Sequence, residues 1–278
     1  MSDHLKRGER MERTLSIVLA VLAVVSVVFL AVLSLSVYMG ITYRATLSST
    51  YEYRVSIAPD AAIDNVTLFL PIPSKGRENS AVLEMIGGGR LGGVPPGWST
   101  SLIGTEKVTM LELTAREIPP APAGKPYLLS VVATVPGPIR TSTAGSDEPV
   151  LERSAQTSPV ECVGVDTEAS PEVQCEGYRE PVYADFTARG PAHLSVYIYL
   201  DGKNTWDVFG PSSNEYQDGL QVSFSDTAQR WQEGNGVLIT GIGDYGIDFW
   251  VQGEGGAAQG TGASRRVTAR PARGEGGA

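Results

Sequence analysis

The sequence predicts an all-β chain: an N-terminal transmembrane helix, then an antiparallel β-sandwich, then a disordered tail. Three observations carry this. Leu15 to Met39 is a run of 25 residues with no charge, proline or glycine. From residue 44 onward, short stretches alternate apolar and polar side chains at period two, and turn-forming residues separate them. Residues 252–278 are dominated by Gly and Ala, with almost no apolar anchor.

The apolar run comes first. Sixteen of its 25 residues are Leu, Ile, Val or Phe. A helix of this length spans roughly 37 Å, enough to cross a hydrocarbon core of about 30 Å with some tilt. Its large apolar side chains contribute roughly −5 to −10 kcal/mol to insertion as an upper bound. Residues 1–14 carry Lys6, Arg7, Arg10 and Arg13, whereas the 15 residues after the run carry only Arg44 and Arg54. The positive-inside rule then puts a short tail, 1–14, in the cytoplasm and the rest outside. The competing reading is a cleaved signal, with a small-x-small site at Ser34-Leu35-Ser36. Ser16/Ala20 and Ser36/Gly40 have the small-xxx-small spacing that seats a helix partner, and the sequence leaves self-association open.

Composition bounds the partners. The net charge is −9, with +1 in residues 1–14 and +2 in residues 252–278, so the middle carries −12. A surface this acidic repels nucleic acid. Cys162 and Cys175 are the two cysteines, 13 positions apart. In an exterior compartment they predict a disulfide, which stabilises by about 3 kcal/mol in the chain-entropy model. With only His4 and His193 in the chain, and His4 on the other side of the membrane, a zinc site is set aside. No cofactor is expected.

Residues 44–251 form the exterior domain. Tyr51, Tyr53, Val55 and Ile57 alternate with Glu52, Arg54 and Ser56 as a strand with one inward face. Val66, Leu68, Leu70 and Ile72 repeat the pattern. Asn65-Val66-Thr67 is a glycosylation sequon, which requires Asn65 at the surface. Residues 73–97 are turn-rich around a short apolar piece, 81–86. Strands follow at 106–114 and 126–135, joined through Pro119, Pro120, Pro122 and Pro126. Residues 136–159 read as a loop, and a division into two domains falls near 115–159 if there is one.

Beyond the cysteines, 181–187 and 193–200 read as strands. Asp201-Gly202 and Asn235-Gly236 read as hairpin turns, and 226–232 as a helical turn. Strands at 220–225, 237–240 and 247–251 complete the domain. Two sheets that each bury one face suit this alternation, in an immunoglobulin-like or jelly-roll-like order. The tail, 252–278, cannot bury enough surface to offset its ordering entropy.

Motifs that name a chemistry fail on physical grounds. Gly241-Ile242-Gly243-Asp244-Tyr245-Gly246 fits G-x-G-x-x-G, but no helix follows to hold a pyrophosphate. Residues 201–207, DGKNTWD, offer oxygens to calcium without the EF-hand spacing. Trp206, Asp207, Tyr216 and Trp231 are the candidate ligand surface, since aromatics beside carboxylates suit a sugar or a glycosidase pair. His193 has no G-x-S-x-G partner, so no catalytic residue is nominated.

TYEYRVSIAPDAAIDNVTLFLPIP after the anchor, with WDVFGPSSNEYQDG later, resembles single-span exterior envelope proteins of methanogenic archaea. The resemblance implies an envelope setting and no activity. The expectation is a single-pass membrane protein whose partners are the bilayer, through 15–39, and an envelope protein or glycan. Its exterior β-domain acts as an interaction or structural module. The alternatives are a glycan- or calcium-binding receptor domain and a hydrolase.

Overall fold

The computed structural model describes residues 2–74, 80–104, 109–122, 125–142, 148–151, 157–162 and 173–245, with side chains from residue 16. Met1–Tyr245 forms one compact unit. The expected strand at 247–251 and the tail at 252–278 lie outside the described residues.

Helix α1 runs over Ser2–Thr46, longer at both ends than the apolar run. Every large apolar side chain from Ile17 to Val37 is exposed. A helix apolar on all sides has no face to turn toward water. By length and composition it can cross a membrane, and a signal sequence passes the same test.

Among the described residues ten strands follow: β1 (Ser48–Pro59), β2 (Ile63–Pro71), β3 (Trp98–Gly104), β4 (Thr109–Ile118), β5 (Tyr127–Val135), β6 (Ser158–Pro159), β7 (Gln174–Ala188), β8 (His193–Asp207), β9 (Pro211–Ser225) and β10 (Ala228–Gly243). They pair antiparallel in one sheet, ordered β3-β4-β2-β7-β10-β9-β8-β1-β5, with β6 beside β7. The antiparallel β architecture is as expected. Where two separate sheets were expected, the described strands form a single continuous sheet curled into a half-barrel.

The curl follows from chain length. β1 and β2 are consecutive, yet β8, β9, β10 and β7 stand between them in hydrogen-bond order. In a flat sheet that separation is about 24 Å, at about 4.8 Å per strand. Only residues 60–62 join them, a reach of about 14 Å at most. The four central strands must therefore arch until β1 faces β2. Tyr53 on β1, fully buried, donates to the Pro71 carbonyl of β2 at 2.9 Å across the interior. Helix α2 (Ala81–Gly87), capped by Ser80, packs between the sheet's two ends. There Trp98 of β3 and Tyr127 of β5 approach to 5.1 Å.

Three sequence expectations are corrected. β8 runs straight through Asp201-Gly202, and β10 runs through Asn235-Gly236. Both glycines face the interior beneath tyrosine rings. A Cβ on Gly202 would meet the Tyr216 ring at 2.1 Å, and one on Gly236 the Tyr178 ring at 2.1 Å. The residues that look like turns instead make room for large inward side chains. Ala228–Gln232, expected as part of a helical turn, begins β10.

Part of the expected loop, 136–159, is a strap in the concave interior. Ile139, Thr141, Val150 and Leu151 are buried in it. Asn204 uses its whole amide on this strap and its neighbours. Its Oδ1 accepts from Ser49 Oγ at 2.7 Å and from the Ile139 N–H at 2.8 Å. Its Nδ2 donates to the Ile139 carbonyl at 2.7 Å and to Asn214 Oδ1 at 2.8 Å. Further along, Asp218 accepts from the Leu151 N–H at 2.6 Å and from Tyr178 OH, and Tyr216 OH donates to the Pro149 carbonyl at 2.5 Å. Tyr51 OH donates to Glu148.

The disulfide Cys162–Cys175 is present, with Cα atoms 5.5 Å apart. It ties the segment after β6 to the start of β7.

Two outcomes are expected in denaturant titrations of the purified chain. Asn204→Ala should lose about 2–4 kcal/mol, because truncation strands the buried groups it satisfies. Proteolysis should then begin within 138–151. Cys162→Ser with Cys175→Ser should lose about 3 kcal/mol, and reduction of the native chain should give the same shift.

Candidate aromatic platform on the outer face

Alternation along the strands puts one side chain in two on the convex face. Register then assembles rows that no short sequence window contains. Ser101, Glu112, Phe69, Tyr183 and Trp231 lie opposite one another in succession across β3, β4, β2, β7 and β10. Phe69 and Tyr183 stack at 5.0 Å between ring centroids. Trp231 tilts against both, at 5.3 Å from Tyr183 and 6.2 Å from Phe69. Trp231 is 53% exposed, so the indole presents much of its surface to solvent.

Polar groups flank the rings. Ser101 Oγ donates to Glu112 Oε2 at 2.6 Å at one end of the row. The next row on this face holds Ser99, Thr114, Thr67, Asp185 and Gln229 in register. Ser99 and Thr114 share a hydrogen bond of 2.7 Å. Rings with an apolar face beside carboxylates and hydroxyls can stack on an apolar ring face while polar neighbours bond its substituents.

Only one residue of the sequence-derived ligand surface belongs here. Trp231 is in the platform. Trp206 is buried, 5.6 Å from Tyr43 of α1. Asp207 is engaged with the end of α1 and with its own turn, where its Oδ1 accepts from the Gly210 N–H at 3.2 Å. Tyr216 is fully buried beneath the strap. Trp206 and Tyr216 therefore drop out of any surface shared with Trp231.

The calcium and glycosidase alternatives meet the same alternation. In 201–207 the side chains of Asp201 and Asn204 go to opposite faces of β8, and among the described residues no cluster of His, Cys, Asp and Glu suits a metal. Glu215 is on the outer face and Asp218 on the inner. The described part of the glycine motif, Gly241 to Tyr245, leads out of β10 next to a β-bulge at 239–242. His193 opens β8, and its N–H is bonded to Asp60 Oδ1 at 2.6 Å.

Asn65 is exposed on β2, in the left-handed region at φ 54°, where β2 shifts register against β7. Asn tolerates this conformation better than most residues.

A second outer cluster lies on β1, β8 and β9. The Arg54 guanidinium sits 5.9 Å from the Tyr199 ring centroid and donates to Glu52 Oε1 at 2.7 Å. Lys203 pairs with Glu215 at 2.7 Å. Asp201 lies among them with its Oδ1 buried and without a hydrogen bond. Burial, then the charge of Glu215, pushes its pKa up to about 6, while Lys203 pulls the other way.

Between α2 and β3 a cavity of about 270 Å³ is lined by Ile86, Gly89, Leu91, Thr100 and Ser101 among others, with no titratable side chain.

Comparison of the chain with known protein families, curated proteins and solved structures finds no match.

Asp201 sets a pH dependence of defined sign. The folded chain holds its proton more tightly than the unfolded chain, whose value is near 3.8. Ionisation thus opposes folding. The cost is absent below the unfolded value, grows as pH rises and is complete above about 6. Asp201→Asn should stabilise the protein by about 1 kcal/mol at pH 8, allowing for solvent screening, and leave it unchanged at pH 3. Urea midpoints at the two pH values check this.

Proposed function

We propose that the chain is a single-pass membrane protein of the cell envelope, with residues 1–14 in the cytoplasm and the β-domain outside. The domain acts as an interaction module held at a set distance and angle from the bilayer. One observation carries the reading: the joint between helix and sheet. Leu47 alone separates α1 from β1. Thr46 Oγ1 accepts from the Asp207 N–H at 3.0 Å, and its own proton has the Thr42 carbonyl of α1 at 2.8 Å as its nearest acceptor. Tyr43 packs on Trp206 beside them. A cleaved signal needs no such fitted joint with the folded domain.

Protease added to intact cells should remove the β-domain and leave the residues before the span protected. Protection of the domain instead would reverse the orientation and sink the exterior assignment.

A second reading, a glycan receptor, draws on exposed Trp231 and the half-buried Phe69 and Tyr183 beside it. The full chain in detergent should then show a thermal shift with a subset of envelope polysaccharides. Trp231→Ala should abolish that shift and change the unliganded melting temperature little. No shift with any glycan would end this reading and leave the interaction module standing.

A further inference from the structure

The β8–β9 hairpin comes back to the end of α1. β1 leaves α1 in one direction, and β8 is antiparallel to it, with Thr205 opposite Ser48. β8 therefore arrives at the helix end from the far side of the domain. At Asp207 it meets Thr46. The chain then continues past the joint through Val208, Phe209 and Gly210 before β9 returns at Pro211.

Near the joint Tyr43 of α1 is buried and Thr42, Gly40, Met39 and Ser36 are half-buried, whereas Tyr38, Val37 and Ile41 are exposed. Residues 36, 39, 40 and 43 fall on one helical face, two turns long. This is the face that meets Trp206 through Tyr43. At the tip, Val208 is 8% exposed and Phe209 is 71% exposed. Thus one apolar side chain is covered and its neighbour is the most exposed large apolar side chain of the chain's described part.

Two extended residues beyond Asp207 reach about 7 Å along α1 from Thr46, about the level of Ile41 at about 1.5 Å per helical residue. The 25-residue run, at roughly 37 Å, exceeds a hydrocarbon core of about 30 Å, so its upper end lies in the interfacial layer. Phe209 is then at the depth where aromatic side chains of membrane proteins collect.

We infer that the β8–β9 tip makes a second membrane contact through Phe209, inserted into the interfacial region of the same bilayer that α1 crosses. The occupant of this surface is lipid. The inference rests on the membrane-spanning reading of α1. With helix and tip both fixed in the bilayer, the domain has two points of attachment on one side of the anchor, and the β8–β9 end of the sheet faces the membrane.

The test uses the full chain reconstituted in phosphatidylcholine vesicles, with an alkaline wash and a Phe209→Trp variant. The emission added by the new indole should shift to the blue. Lipid brominated near the headgroup end of its acyl chains should quench it several-fold more than aqueous iodide does. Phe209→Ser should fold normally and show faster rotation of the domain relative to the membrane by fluorescence anisotropy of a lipid-bound chain. If the chain survives the wash while the added indole is quenched by iodide and not by brominated lipid, the tip contact is overturned and the anchor stands. If the wash removes the chain, the anchor reading fails and takes the tip contact with it.

Discussion

The constraint on which the rest depends is the three-residue link between β1 and β2. Four strands are interposed between these neighbours in sequence, and so short a link is possible only if those strands bend through an arch. The arch creates a concave interior, and a concave interior must be filled. Side chains from opposite limbs fill most of it: Tyr53, Val55 and Ile57 from β1, and Leu68 and Leu70 from β2. The remainder is taken up by the strap, which brings backbone N–H and C=O groups into a place shielded from water. Each such group has to find a partner. The inward row of Asn204, Asn214, Tyr216, Asp218 and Tyr178 answers that need. The buried polar residues are thus a consequence of the curl.

Different parts of this structure were legible in the sequence to different degrees. Alternation at 51–57 and 194–200 marks β1 and β8 because one face of each strand is buried and the other is wet. The apolar run is visible because no aqueous face interrupts it. The cysteine pair is visible because only two exist. Asp201-Gly202 and Asn235-Gly236 mislead for one shared reason. Their glycines serve a ring on a neighbouring strand, and a neighbouring strand is invisible to local pattern. β3 sits among glycines and prolines, and it is held in the sheet by pairing with β4 instead of by any pattern of its own.

The platform was the least legible. Its aromatics stand at positions 69, 183 and 231, and only the registers of β2, β7 and β10 bring them together. The four residues nominated from the sequence are closer in the chain, yet adjacent strand positions point to opposite faces, so nearness in sequence counted against them. Exposed Trp231 and buried Trp206 look alike until the parity of each strand is known.

The joint at Leu47 has one more consequence. A single residue, flanked by the Asp207 N–H to Thr46 Oγ1 hydrogen bond and the Tyr43–Trp206 contact, leaves little torsional slack. Helix and sheet therefore turn together as one crank. A rotation of α1 about its axis is passed to the β-domain and moves the platform on its outer face.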